Sequence, residues 1–345
     1  MKRFCISLSL LALAAFAACG GGSGTNPPQV LPSGSPPTPS ASPTPTSAPT
    51  TPPQAGTTQI FVTNPLSANI VGFSLPIAGN TAPTVDLSGG ATMFATPVGI
   101  FVDSAGKIYV GDGVAHGSVL VFPAGANGNS APSQAISGPN TLLAQPAGVL
   151  ADATGKIYVA DSSANQVLVF APGTTGNAAP MQDISGTATT LNSPADVIFD
   201  ATDSNLIVSN ISGNTIATFP TNSNGDTIPT STISGAATTL NRPAQMALDE
   251  TGRLYVANEI GNDVLIFGIG ASGNTAPAAT IGGPATGISS PDGIAIDRVT
   301  GTIYVANRGN NSICVFSAGA TGNVAPVSVL SGAATLLNPF FIALH

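Results

Sequence analysis

Two groups of residues hold the chemistry that this sequence has to offer. Six side-chain oxygens recur at one place in a repeating pattern, at Asn64, Asp112, Asp161, Asn210, Asn258 and Asn307, each closing an apolar run such as "IYVAD" or "IYVAN". Gathered around one mouth, carboxylate and carboxamide oxygens of this kind suit a divalent cation or a small polar ligand. A second reading stands beside it, because Asp and Asn at a repeated turn also satisfy the turn's own backbone. The other group interrupts the pattern. Asp196, Arg242, Gln245, Glu259, Asp292 and Arg308 fall on three consecutive units, in a chain with only 7% charged residues. They form either a face for a ligand or partner, or scattered solvated charge that is cheap to replace.

Signatures of catalysis are sparse. The histidines are His116, in the connection "GVAHGS", and His345, and there is no H-E-x-x-H pair, no nucleophile elbow and no Cys/His couple. Cys314 sits in "SICVF", the setting of a small buried hydrophobe rather than of a reactive thiol. Trp is absent and the four tyrosines lie in apolar runs, which removes the usual stacking platform for sugars. The formal charge is −8, and six basic residues remain once Lys2 and Arg3 are set aside. Clustered cations are what phosphate neutralisation needs, so nucleic acid is excluded as a partner. No cofactor motif appears beyond the divalent cation that the ring of oxygens would accept. The expected partner is a protein or a small polar ligand.

The elements that must position these residues are repeats. Pro97, Pro146, Pro194, Pro243, Pro291 and Pro339 are spaced 49, 48, 49, 48 and 48 residues apart, a period that signals a repeat architecture. Each unit holds four short segments, of the type "PAGVLAD", "KIYVAD", "QVLVF" and "APMQDISG". The second and third are apolar on both faces and demand cover on both; the fourth is mixed, as an outer edge strand should be. A Gly-Asn or Gly-Asp turn followed by Pro, as in "GNAAP" and "GDTIP", precedes every fourth segment. Asp152, Asp249 and Asp297 precede turns whose backbone a short carboxylate can bond.

Four-stranded sheets repeated around an axis make a β-propeller. The chain before Pro97 supplies segments two to four, and "FFIALH" after Pro339 supplies a first segment. Joined, they predict an all-β, six-bladed propeller over 59–345, closed by pairing of the N- and C-terminal strands, which removes the open edge.

The units "P.G(I/V)..D..G.IYVA(D/N)....V.VF" resemble NHL repeats. Departures are "PADVIFDATDSNLIVSN", where Asp196 replaces Gly and Tyr is lost, and "PFFIALH". The resemblance implies a propeller with a frequent binding role. It also implies some enzymatic relatives, lactonases and lyases that hold a metal at the central channel through carboxylate, Asn or His ligands. Family likeness constrains shape more than chemistry.

The start of the chain reads as an address. Met1-Lys2-Arg3 and the apolar stretch Ile6 to Ala18 form a signal peptide over 1–18, too short to span a bilayer. "FAACGGG" resembles the lipobox of bacterial lipoproteins, which would make Cys19 the lipidated first residue; ordinary cleavage near "AFA" is the alternative, and both export the protein. Residues 19–58 are rich in Pro, Ser and Thr and read as a disordered tether. With Cys5 in the signal and Cys19 at the boundary, no disulfide framework is available.

Taken together, these observations favour a monomeric binding or scaffold propeller over an enzyme. It would be exported and lipid-anchored in a bacterial membrane, at the outer membrane or cell surface, touching that membrane through its lipid only. The alternative is a metal-dependent, lactonase-like hydrolase or lyase acting at the central channel.

Overall fold

The structure is a computed structural model that describes residues 58–113, 117–200 and 204–345. The signal segment, Cys19, the tether up to residue 57 and His116 lie outside the described residues. Within them the chain forms six four-stranded antiparallel sheets, and the protein is a six-bladed β-propeller. We number the blades in chain order, beginning with the one that contains Gln59–Asn64.

Blade three shows why the repeated phrases recur. Its strands are Pro146–Ala151, Ile157–Asp161, Gln166–Phe170 and Gln182–Ser185, and the first three are buried along their whole length. Runs rich in Val, Ile and Leu suit strands that are covered on both faces. The ring closes as the sequence predicted. Ile342–Leu344 is the first strand of blade one and pairs with Gln59–Asn64 in the register Ile60↔Leu344, Phe61↔Ala343 and Val62↔Ile342.

Six apolar clusters hold the blades together, one at each interface between neighbours. Phe73, Phe122, Phe170, Phe219, Phe267 and Phe316, which end or nearly end the third strands, are at most 2% exposed. Burial of one such side chain contributes roughly 1.5–3 kcal/mol. That is the reason for the recurring "VF" ending.

The Gly-Asn turns do more than reverse the chain. The side-chain oxygens of Asn129, Asn177, Asp226, Asn274 and Asn323 each accept the N–H of a short 3-10 turn in the preceding blade, at 2.6–2.7 Å. Asn80 accepts from Ala334 in blade six at 2.8 Å, so the same clasp spans the closure. The Asp turns behave as expected, with Thr154, Thr251 and Val299 donating their N–H to Asp152, Asp249 and Asp297. The strand tyrosines reach the same side chains: Tyr109 and Tyr158 donate their hydroxyls to Asp103 and Asp152.

Candidate functional site in the central channel

The ring of six oxygens sits where each first strand begins. The register pairs Pro97 with Asp112, Pro146 with Asp161, Pro194 with Asn210, Pro243 with Asn258 and Pro291 with Asn307. All six side chains are buried, and each oxygen already has a backbone partner. Asp112 accepts from Ala95 and Thr96, and Asp161 from Ala144 and Gln145. Asn64, Asn210, Asn258 and Asn307 accept from Asn338, Asn192, Asn241 and Ser289. These groups fix the loop leading into each innermost strand. Among the described residues no group of three or more His, Cys, Asp or Glu is placed to hold a metal ion. Among the described residues the ring, with its oxygens committed to backbone N–H groups, therefore does not fit the metal that the lactonase and lyase resemblance implies.

The six pattern-breaking residues separate into two sets. Four of them form an ion-pair network on blades five and six. Arg242 Nε lies 2.7 Å from Glu259 Oε2, while Arg308 bonds both Glu259 Oε1 and Asp292 Oδ2. The arginines are half exposed, but Glu259 and Asp292 are only 5% and 1% exposed. The reading of scattered solvated charge that is cheap to replace therefore fails for the two carboxylates, which are buried within this network. Burial pushes Asp292 up to about 7 despite Arg308 beside it, with Glu259 adding to the rise. Its Oδ1 is buried without a hydrogen-bond partner.

Asp196 and Gln245 turn to the axis instead. Both occupy the second position after the proline, which is Gly99, Gly148 and Gly293 on blades two, three and six. A Cβ at Gly99 would lie 1.8 Å from the Ala147 carbonyl oxygen, and one at Gly148 would lie 2.6 Å from Asp196 Cα. Neighbouring first strands approach so closely here that the channel is closed at this end. Gln245 completes the closure, accepting from Ile294 and Ile342 N–H at 3.0 Å and donating to the Ile342 carbonyl at 2.9 Å. Asp196 accepts the Met246 N–H at 2.9 Å. Among the described residues the Asp196 carboxyl has no ion pair; burial pushes it up to about 7, against the lowering effect of the N–H groups of Met246 and Val197.

Above this floor lies a cavity of about 480 Å3, lined by the first strands of all six blades. The third to fifth residues after the prolines line it with apolar side chains, and the fourth, on the face turned to the next blade, varies most in size. The fourth residues are Phe101, Leu150 and Ile198 on blades two to four, and Ala247, Ala295 and Ala343 on blades five, six and one. The channel wall is uneven at this position, with bulky side chains on blades two to four and alanines on blades five, six and one. Two positions further on, Asp103 and His345 stand at the other end with Ser104 and Arg298. The sequence reading passed over the alanines. Aligning the units on their prolines would have shown them, as a column running Phe, Leu, Ile, Ala, Ala, Ala.

Known proteins match this geometry in part. Residues 137–278 match the family model "Lactonase, 7-bladed beta-propeller", and 289–316 match the NHL repeat. No curated protein matches the chain significantly. Among solved structures, a chain of the nidogen/laminin complex is 13% identical, with 84% of this chain and 98% of that chain covered and a TM-score of 0.56. A candidate 6-phosphogluconolactonase of Bacteroides fragilis gives 16%, 84%, 98% and 0.56 in the same terms. One from Bacteroides uniformis gives 15%, 81%, 84% and 0.55. At such identities the structures speak for the fold alone. The lactonase match corrects the preference for a non-catalytic module, because the stretch it covers contains Asp196 and Gln245, where this chain departs from its own repeat. The protein is a six-bladed β-propeller with an NHL-repeat region and a lactonase-like propeller fold.

Proposed function

We propose that this protein is a hydrolase of lactones or related esters, working in the central channel with Asp196 as its general base. The observation that carries this reading is a buried carboxyl that lines the closed end of a ligand-sized cavity, pushed up to about 7, within the stretch that resembles lactonases. Ligand cavities of a few hundred Å3 are typical, and a base whose pKa lies near the working pH is the most effective. In the proposed step a water oxygen bonds to the lactone carbonyl carbon while the Asp196 carboxylate takes its proton. The ring C–O bond then breaks, and the proton passes from Asp196 to the departing alkoxide, leaving a hydroxy acid. The scheme is written without a metal, since among the described residues no group of three or more His, Cys, Asp or Glu is placed to hold one.

The test is hydrolysis of a panel of lactones and chromogenic esters by the purified propeller, with Asp196→Asn as control. Asparagine keeps an oxygen for the Met246 N–H but cannot take a proton. The wild-type rate should rise with pH through about 7 and the variant should lose it. A panel without turnover, or an equally active variant, would sink the reading.

As part of the same proposal the enzyme is exported and held at a bacterial membrane by lipid on Cys19. Mass spectrometry of the mature N-terminus decides this, and an unmodified Cys19 rejects it.

A further inference from the structure

We infer that the channel takes a neutral lactone or ester with an aliphatic body, seated against Ala247, Ala295 and Ala343, and not a phosphorylated or polyhydroxylated sugar lactone. This deepens the hydrolase reading and rests on it for the reaction, though not for the binding.

Three features carry the inference. First, the residues that line the cavity's middle level are all apolar, and at the fourth position after the proline three are large on one side and three are alanines on the other. A sugar ring presents a hydroxyl on nearly every carbon, and each one buried there would lose its water without gaining a partner. Second, the polar groups at the floor are already engaged. Gln245 uses both ends of its amide on Ile294 and Ile342, and Asp196 accepts from Met246. What remains suits one polar centre at the tip of an apolar molecule. Third, the sixth residue after the proline is Asp103, Asp152, Asp200, Asp249 and Asp297 on blades two to six, and of these Asp103 lines the cavity. The cations near that level are Arg298, an exposed side chain that lines the cavity, Lys107 and Lys156 in the turns at Asp103 and Asp152, and Arg253, which pairs with Asp249 at 2.7 Å. With a formal charge of −8 the chain as a whole repels a phosphate rather than gathering it.

Calorimetry on the purified propeller, with γ-decanolactone, γ-butyrolactone and glucono-δ-lactone 6-phosphate as the probes, tests this. γ-Decanolactone should bind at least tenfold tighter than either of the others. Ala295→Phe should weaken it at least tenfold and leave γ-butyrolactone within twofold. Ala247→Leu is a milder filling on the neighbouring blade, should the larger one disturb folding as judged by thermal melting. Binding that follows this pattern without turnover keeps the inference and removes the hydrolase reading. Preferred binding or turnover of the phosphorylated sugar lactone overturns the inference and leaves the hydrolase reading standing. Unchanged γ-decanolactone affinity in the folded filled variants overturns it, and so does a wild type that binds none of the probes.

Discussion

Asp196 and Asp292 occupy neighbouring places in the repeat, the second and the first position after a proline, and burial pushes both up to about 7. Their surroundings are otherwise opposite. Asp292 faces outward into the loops, where Arg308 bonds it and Glu259 and Arg242 complete the network. Asp196 faces the axis with backbone N–H partners and, among the described residues, no ion pair. A raised carboxyl therefore does not by itself mark a reactive centre. What separates the two is access to a cavity and freedom from a counter-ion, because a proton acceptor locked in an ion pair is already committed to its partner.

That contrast can be broken in several ways. The largest expected effect is on turnover: Asp196→Asn should lower kcat/KM for the best lactone by about 10²–10⁴, the range for a lost general base, while Asp292→Asn should change it less than about threefold, since an outward-facing group touches no substrate. Equal losses in the two variants would erase the distinction.

Next in size is stability. Arg308→Met leaves Asp292 and Glu259 buried without their shared cation and should cost roughly 3 kcal/mol, the low end for breaking a buried pair because the arginine is half exposed. Chemical denaturation reads it directly, and an unchanged midpoint would mean that the network is ornamental. The two carboxyls also set a pH dependence. Each holds its proton to a higher pH when folded than its ordinary value of 3.8 allows. The folded state thus binds more protons between about pH 4 and 7, and stability falls as pH rises through that window. Asp196→Asn should melt above wild type at pH 8, by an amount worth at least about 1 kcal/mol, and the advantage should fade toward pH 4. A constant difference across that range would reject the raised value. The smallest effect belongs to Arg242→Ser, which removes an exposed partner of one ion pair and should cost about 0–1 kcal/mol. A larger loss would place Arg242 inside the buried part of the network.

Much of this was written in the chain itself. The period of the prolines, the doubly apolar runs "IYVAD" and "QVLVF" and the split first blade define six blades and their closure, because side-chain burial on both faces of a strand leaves few other packings. The Asp turns were equally legible, since a short carboxylate bonds backbone two residues away without help from elsewhere. What the sequence could not decide was direction. Asp196, Gln245, Glu259 and Asp292 look alike as interruptions of one pattern. Only the meeting of neighbouring first strands, too close for a side chain at Gly99 and Gly148, turns the first two into a channel floor. Likewise, six oxygens at one repeated position suggested a ligand ring, yet each is drawn to backbone N–H groups of its own loop 16 or 17 residues earlier in the chain on blades two and three. The alanines of blades five, six and one say nothing singly. They make a cavity only because the ring sets them opposite Phe101, Leu150 and Ile198, and an empty volume is a property of residues brought together across the axis, not of any residue in the chain.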